Sequence, residues 1–253
     1  MLDPKIITQL QAIVAAQPHP IAFSTLSGSH LYGFPSPDSD YDLRGVHILP
    51  IEIIVGLTPG KETIETSNKF PGLELDLVTH ELQKFMGFML KKNGYVLEQL
   101  LSPIILHTTP IHEELCAIAP ACMTRHHSHH YLGFAHTEWR LFSKQNPLRV
   151  KPLLYVYRVL LTGIHLMQTG EIEPNLIQLN QKFGLEKIDE LISIKIAGME
   201  KSETGEINLE FHQATFIRLL AELEKERDRS HLPTESTAKP ALNDLLLRVR
   251  LKP

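Results

Sequence analysis

Asp40 and Asp42 stand two residues apart in the run Pro35-Ser36-Pro37-Asp38-Ser39-Asp40-Tyr41-Asp42-Leu43-Arg44-Gly45-Val46. In an extended strand, Asp40, Asp42 and Arg44 fall on one face and Tyr41 and Leu43 on the other. Two carboxylates side by side repel and are costly to desolvate. A divalent cation removes both costs, and Mg²⁺ suits such oxygen ligands because it keeps several waters and adds substrate phosphate oxygens. Upstream lies Ser27-Gly28-Ser29. Gly28 lets a backbone come close to a ligand, and Ser29 could open a short helix, whose first N–H groups bind phosphate. The chemistry on offer is an anion cradle and a metal dyad.

The elements that must position these groups are legible. Ile21 to Leu26 is an apolar run that reads as a buried strand, and Tyr41 to Leu49 reads as the next one. Between them, Gly33 to Ser39 is rich in Pro, Gly, Ser and Asp, which supply turn geometry. Further on, Leu73-Glu74-Leu75-Asp76-Leu77 alternates cleanly, with Glu74 and Asp76 on the polar face of a third strand.

A strand, then Gly-Ser, then a short loop, then Asp-x-Asp on the next strand resembles the signature of the polymerase-β nucleotidyltransferase superfamily. The fuller form, Gly28-Ser29-His30-Leu31-Tyr32-Gly33 followed by Ser39-Asp40-Tyr41-Asp42-Leu43-Arg44-Gly45, is similar to a bacterial and phage group, some of whose members are associated with RNA ligases and RNA repair. Either half alone is a weak signal; the combination between two strand-like runs is specific. The plain alternative is a Ser/Asp-rich hairpin loop. The resemblance implies transfer of a nucleoside monophosphate from an NTP. It implies two Mg²⁺ ions, with Mn²⁺ able to replace them, on Asp40 and Asp42. Asp76 matches the third carboxylate, in a segment before a Lys-Phe helix, here Leu82-Gln83-Lys84-Phe85. Gly28 and Ser29 would meet the outer phosphates. Glu74 is the next carboxylate in line. Glu98 lies in a stretch, Asn93 to Pro103, that follows the group except that Gly94 stands where proline is common.

The 253 residues are 43% hydrophobic and 21% charged, ordinary for a globular protein, and suffice for one large domain or two modest ones. A net charge of −4 provides no global attraction to nucleic acid, so any such contact must be local. Two cysteines, Cys116 and Cys122, suit a reduced cytoplasmic setting better than a disulfide scaffold. The start lacks a secretory pattern, and no apolar run is long enough to span a membrane.

Asp3-Pro4 reads as a helix start, running to about Gln17. Ile51 to Leu57 is ambiguous between helix and strand. Turns are expected at Thr58-Pro59-Gly60 and from Asn68 to Gly72, helices from His80 to Lys92 and Tyr95 to Leu101, and a last strand at Ile104 to His107. From Pro110 only helical patterns follow: 111–119, 122–144, 152–169, 174–183, 185–197 and 207–230, with breaks at Pro120 and from Gly198 to Gly205. Leu232 to Ser236 reads as a flexible link before a terminal helix, Pro240 to Val249.

Lys151, Tyr155 and Arg158 share one helical face at i, i+4 and i+7. The similar group has a Lys and an Arg at about this point, and related enzymes use such residues to hold triphosphate or base, so these three are nucleotide-binding candidates; the alternative is a solvated basic stripe with Tyr in the core. The run His126-His127-Ser128-His129-His130 offers imidazoles at zinc-compatible spacing but no zincin-like carboxylate, and is read as a solvated or site-lining face.

Strands first and helices after predict an α+β protein: a nucleotidyltransferase-type mixed β-sheet domain over 1–109 and an all-α helical domain over 110–253. The expected activity is Mg²⁺-dependent nucleotidyl transfer to a hydroxyl, an RNA end in repair being the first candidate acceptor. The alternatives are nucleotidylation of a small molecule or protein, and a nucleotide-binding module with little turnover.

Overall fold

The computed structural model describes residues 2–58, 60–70, 73–198 and 208–251. The Asp3 carboxylate accepts a hydrogen bond from the Lys5 amide at 2.9 Å and so caps α1 (Pro4–Ala15), while Pro4 fills the first turn, where no N–H is needed. Then come β1 (Ile21–Leu26), a one-turn helix α2 (Gly28–Tyr32) and β2 (Tyr41–His47). The ambiguous run after Pro50 opens as helix α3 (Ile51–Val55). β3 (Thr63–Phe70), β4 (Leu73–Glu81), α4 (Leu82–Met89), α5 (Gly94–Leu100), β5 (Ile105–His107) and α6 (Pro110–Cys122) follow. Beyond them the described residues form only helices: a 3₁₀ turn at Arg125–His127, α7 (Ser128–Ser143), α8 (Val150–Thr169), α9 (Leu176–Phe183), α10 (Ile188–Ala197), α11 (Leu209–Arg229) and α12 (Lys239–Leu251).

The five strands lie in the order β3-β4-β2-β1-β5. β1 is antiparallel to β2 and β5, β3 is antiparallel to β4, and β2 and β4 run parallel. This is the α+β, mixed-sheet architecture the sequence predicts. Leu26, Leu43, Leu73, Leu75, Leu77 and Leu106 from one sheet face bury against Leu10 and Val14 of α1, all at 5% exposure or less. Fully burying a leucine side chain contributes about 1.5–3 kcal/mol, so this face holds the sheet rigid beneath its polar side.

Several boundaries differ from expectation. β4 runs on through His80 and Glu81 because both pair with β2, Val46↔His80 and His47↔Glu81. The next helix therefore starts at Leu82, where the Glu81 carboxylate accepts from the Gln83 amide at 2.7 Å. Pro120 lies within the last turn of α6 instead of ending it. The long helix expected from Cys122 begins only at Ser128, because the Thr124 amide donates to His127 Nδ1 at 3.1 Å and closes a separate turn. The expected flexible link is pinned: Arg125 donates to the carbonyls of Ser230 and Leu232, and the Ser236 hydroxyl donates to the Ala121 carbonyl at 2.9 Å. The turn expected from Asn68 to Gly72 begins later, because Asn68, Lys69 and Phe70 pair with Leu75, Glu74 and Leu73 and extend β3. Pro59, Pro71 and Gly72 of the expected turns, most of the 198–205 break and the start of the helix at Ile207 fall outside the described residues.

Contacts divide the chain into two compact units. The first is Met1–Gly28, Asp40–Cys122 and Ser236–Pro253; the second is Ser29–Ser39 and Met123–Glu235. This division does not fall after residue 109: α6 and α12 belong with the sheet, and the loop 29–39 belongs with the helices. In the second unit α8 packs against α7, α9, α10 and α11 and is buried without a break from Val156 to Met167. A Cβ at Gly163 would lie 2.9 Å from Tyr131 and 3.0 Å from Leu223, so only glycine permits this approach of three helices. The Tyr157 hydroxyl is bonded to His212 Nδ1 at 2.6 Å, and burial pushes its pKa up to about 12. Among the described residues no helix is long and apolar enough to cross a membrane.

Candidate active site

The parallel pairing of β2 with β4 sets Asp42 directly beside Asp76. Arg44 follows on the same face, and every N–H of its guanidinium is engaged. Nη2 donates to Asp42 Oδ1 at 2.8 Å and to Asp76 Oδ2 at 3.0 Å. Nη1 donates to the carbonyls of Leu43 and Asp76, each at 2.8 Å, and Nε reaches the Tyr95 hydroxyl of α5 at 3.3 Å. Burial works against the Arg44 charge, but Tyr95, Asp42 and Asp76 outweigh it and raise the pKa. One guanidinium thus ties two carboxylates on neighbouring strands, whose like charges would otherwise push apart.

Ser67, opposite Asp76 in β3, donates its hydroxyl to Asp76 Oδ1 at 3.0 Å. On the other side, the Ser27 amide donates to the Asp42 carbonyl at 2.8 Å. Gly28 then turns with φ +62°, and a Cβ there would lie 2.0 Å from Asp42 Oδ2. The backbone comes so close to the carboxylate that only glycine fits, on conformation and on space alike. Asp40 is half-buried immediately ahead of β2, Glu74 points to solvent from β4, and Glu98 is buried at 1% exposure within α5.

The donor set suits a hard divalent cation, since the groups are carboxylate oxygens. Asp42 and Asp76 are brought together; Asp40 is adjacent in sequence to their strand. Among the described residues no three carboxylate, imidazole or thiol groups converge closely enough to enclose a metal, and the positive charge between Asp42 and Asp76 is that of Arg44.

In the second unit the predicted stripe on α8 meets the signature loop. Arg158, at 2% exposure, lies with its guanidinium carbon 3.9 Å from the centre of the Tyr32 ring. Tyr155 meets the rings of Tyr32 and Phe34 edge-on, at 5.5 Å and 5.8 Å between centroids. Lys151 is half-buried in the first turn of α8, and Ser29 is buried at 4% exposure. Burial raises the Glu138 carboxyl pKa, which the charges of Arg158 and Lys151 oppose. Burial, then the charge of Arg158, lowers His130 to about 4. His126 and His129 stack at 5.7 Å between centroids, and the histidine run joins no metal-binding group among the described residues.

The sequence places Arg44 on the correct face without giving it a task. Ser67 and Tyr95 carry no sequence signal, because their partners are set by strand register and by helix placement.

The family described as RNA repair pathway DNA polymerase beta family matches residues 2–248. The uncharacterized protein MJ0002 of Methanocaldococcus jannaschii is 39% identical over 155 residues, covering 60% of this chain and 63% of that protein. The uncharacterized protein YcgL of Bacillus subtilis is 29% identical over 174 residues, covering 67% of this chain and 65% of that protein. The chain thus spans a little under two thirds of the length of these curated relatives. A solved nucleotidyltransferase-like protein from Exiguobacterium sibiricum aligns over 98% of this chain and 81% of that one, at 13% identity and a TM-score of 0.35, too slight a likeness to carry an argument.

Proposed function

We propose, since the chain belongs to the RNA repair pathway DNA polymerase beta family, that it transfers a nucleoside monophosphate from an NTP to a hydroxyl, and that the hydroxyl is on an RNA end. The family is one of nucleotidyltransferases, and the chain is an enzyme of that class. The observation that carries the reading is the in-register pair Asp42 and Asp76, with Gly28 against Asp42.

In this reading the acceptor oxygen forms a bond to the α-phosphorus, the bond from that phosphorus to the bridging oxygen breaks, and pyrophosphate leaves with the electron pair. Asp40 and Asp42 would hold Mg²⁺ on the nucleotide side, and Asp76 on the acceptor side, with Mn²⁺ able to stand in. Bound cations there would neutralise the entering and leaving oxygens. Asp76 also takes up the acceptor proton. Gly28 and Ser29 are assigned to the outer phosphates, and Lys151 and Tyr155 to the nucleotide. Arg158 is assigned to the same group and acts through the Tyr32 and Tyr155 rings it touches. Arg44 keeps the two strand carboxylates together before any cation arrives. A cytoplasmic location goes with this reading.

The test is incubation with each labelled NTP and Mg²⁺, with RNA ends or cell extract as acceptor. Label on the RNA end is expected. Label on a small molecule or a protein would replace the acceptor. NTP bound without any transfer would reduce the protein to a nucleotide-binding module.

A further inference from the structure

Lys195 lies on α10 at 1% exposure, and its ammonium donates to Ser36 Oγ at 2.5 Å. Ser36 Oγ is in turn 3.0 Å from Ser39 Oγ. The Ser36 amide donates to Ser39 Oγ at 2.9 Å, and the Ser39 amide donates to the Ser36 carbonyl at 3.0 Å. Ser36 to Ser39 is therefore a closed turn, braced by an ammonium that reaches it from 159 positions away in sequence. The chain leaves this turn directly into Asp40.

A lysine is almost never fully buried without a specific partner, because taking its charge out of water is costly. A methionine of similar length would fill the same space without that cost, so packing alone does not call for an ammonium here. The rest of the loop is held by the same helical unit. Arg158 covers Tyr32, Asn175 Nδ2 donates to the Leu31 carbonyl at 3.4 Å, and a Cβ on Gly33 would lie 2.8 Å from Asn175 Oδ1. Of this set, Lys195 bonds the loop residue nearest in sequence to the metal-dyad segment, Ser36.

We propose that Lys195 is a positioning residue: through Ser36 it fixes the Ser36–Ser39 turn and thereby the direction in which the chain delivers Asp40. The proposal rests on the nucleotidyl-transfer reading above. It assigns Lys195 no contact with nucleotide or acceptor.

The experiment compares wild type, Lys195→Met, Lys195→Arg, Ser36→Ala and the Lys195→Met/Ser36→Ala double variant. The measurements are Mn²⁺ binding by electron paramagnetic resonance, turnover, melting temperature, and hydrogen exchange of the amides from Ser36 to Asp40. Lys195→Met should keep or raise the melting temperature, speed exchange in the turn, weaken Mn²⁺ binding, and lower kcat on the order of 10- to 100-fold with little change in KM for NTP, as a small misplacement of a reacting group does. Ser36→Ala should act in the same direction, the double variant should be no worse than Lys195→Met, and Lys195→Arg should recover part of the loss. Unchanged exchange and Mn²⁺ affinity in both single variants would overturn the proposal. Should Lys195→Met fail to fold, Ser36→Ala, which leaves the lysine in place, decides by the same readouts. If wild type neither binds Mn²⁺ nor transfers, the transferase reading is wrong, and turn exchange alone then judges the positioning claim.

Discussion

Replacing Arg44 with methionine tests how the carboxylate pair is held. The guanidinium shares Nη2 between Asp42 and Asp76, whose side chains are 21% and 35% exposed. Breaking a fully buried ion pair by removing one partner costs about 3–5 kcal/mol. Here water reaches both carboxylates and screens part of their repulsion, so the cost should be about 2 kcal/mol. For a chain of this size each kcal/mol moves the melting temperature by about 2–4 °C, which gives a fall of roughly 4–8 °C in EDTA. Two controls separate charge from packing. Adding Asp42→Asn removes one of the repelling charges and should return about half of the lost stability. Adding Mg²⁺ should raise the melting temperature of Arg44→Met more than that of wild type, because the cation supplies the charge the variant lacks. Differential scanning calorimetry measures all five states: wild type and Arg44→Met each in EDTA and in Mg²⁺, and the double variant in EDTA. An Arg44→Met variant that melts within about 1 °C of wild type in EDTA, or one that Asp42→Asn does not improve, would refute the reasoning.

Asp76→Asn should abolish transfer yet leave Mg·NTP binding nearly intact, whereas Asp42→Asn should lose both; calorimetric titration beside turnover checks this, and full transfer by Asp76→Asn would pass the role to Glu74. Lys151→Ala should weaken NTP binding about tenfold, the worth of one charge-assisted contact, with no fall in melting temperature. A sharp fall with affinity held would make Lys151 structural. Stability should also depend on pH through two half-buried imidazoles. His80 and His130 are lowered from 6.5 to about 4, first by burial and then by the charges of Lys84 and Arg158 respectively. The unfolded chain therefore binds more protons between pH 6.5 and 4, and stability should decline as pH falls through that window, by at most roughly 1.4 kcal/mol per pH unit per group. His130→Asn should flatten the slope, and a curve parallel to wild type would remove His130 from the account.

Much of this was legible in residue order. The Asp3 cap, β1, the one-turn helix at Gly28, β2 and the alternation around Asp76 all follow from local rules, which act within a few residues. The pairing of Asp42 with Asp76 was legible only through a resemblance, because parallel pairing of β2 with β4 is a long-range choice that skips β3. Arg44 shows the limit in another way: period two gives its face but not which carboxylates it will meet. Arg158 reads as the end of a basic stripe, yet α8 is enclosed by four helices, so its inner face must take the guanidinium and covers it with Tyr32. Lys195 had no signal at all, since an isolated lysine on an exposed-looking helix becomes buried only when the loop 29–39 docks on it.

The first compact unit ends with residues 236–253. Within it Arg250 of α12 pairs with the buried Glu81 carboxylate and donates to the Leu49 carbonyl at 2.6 Å, while Arg248 bonds Glu114 and Asp244. This fixes an order of events during synthesis. At about 5–20 residues per second, the stretch between Cys122 and Ser236 keeps the ribosome occupied for several seconds to tens of seconds after α6 has emerged. Throughout that interval Glu81, at the far end of the strand that carries Asp76, has no Arg250 to meet. The helical unit, contiguous from Met123 to Glu235 apart from its borrowed loop, is made before α12 can tie down Glu81. The strand bearing the third carboxylate thus gains this ionic partner only when translation of this stretch is nearly over, so a chain cut short between α11 and α12 would hold all five strands and lack the Arg250 tie to Glu81.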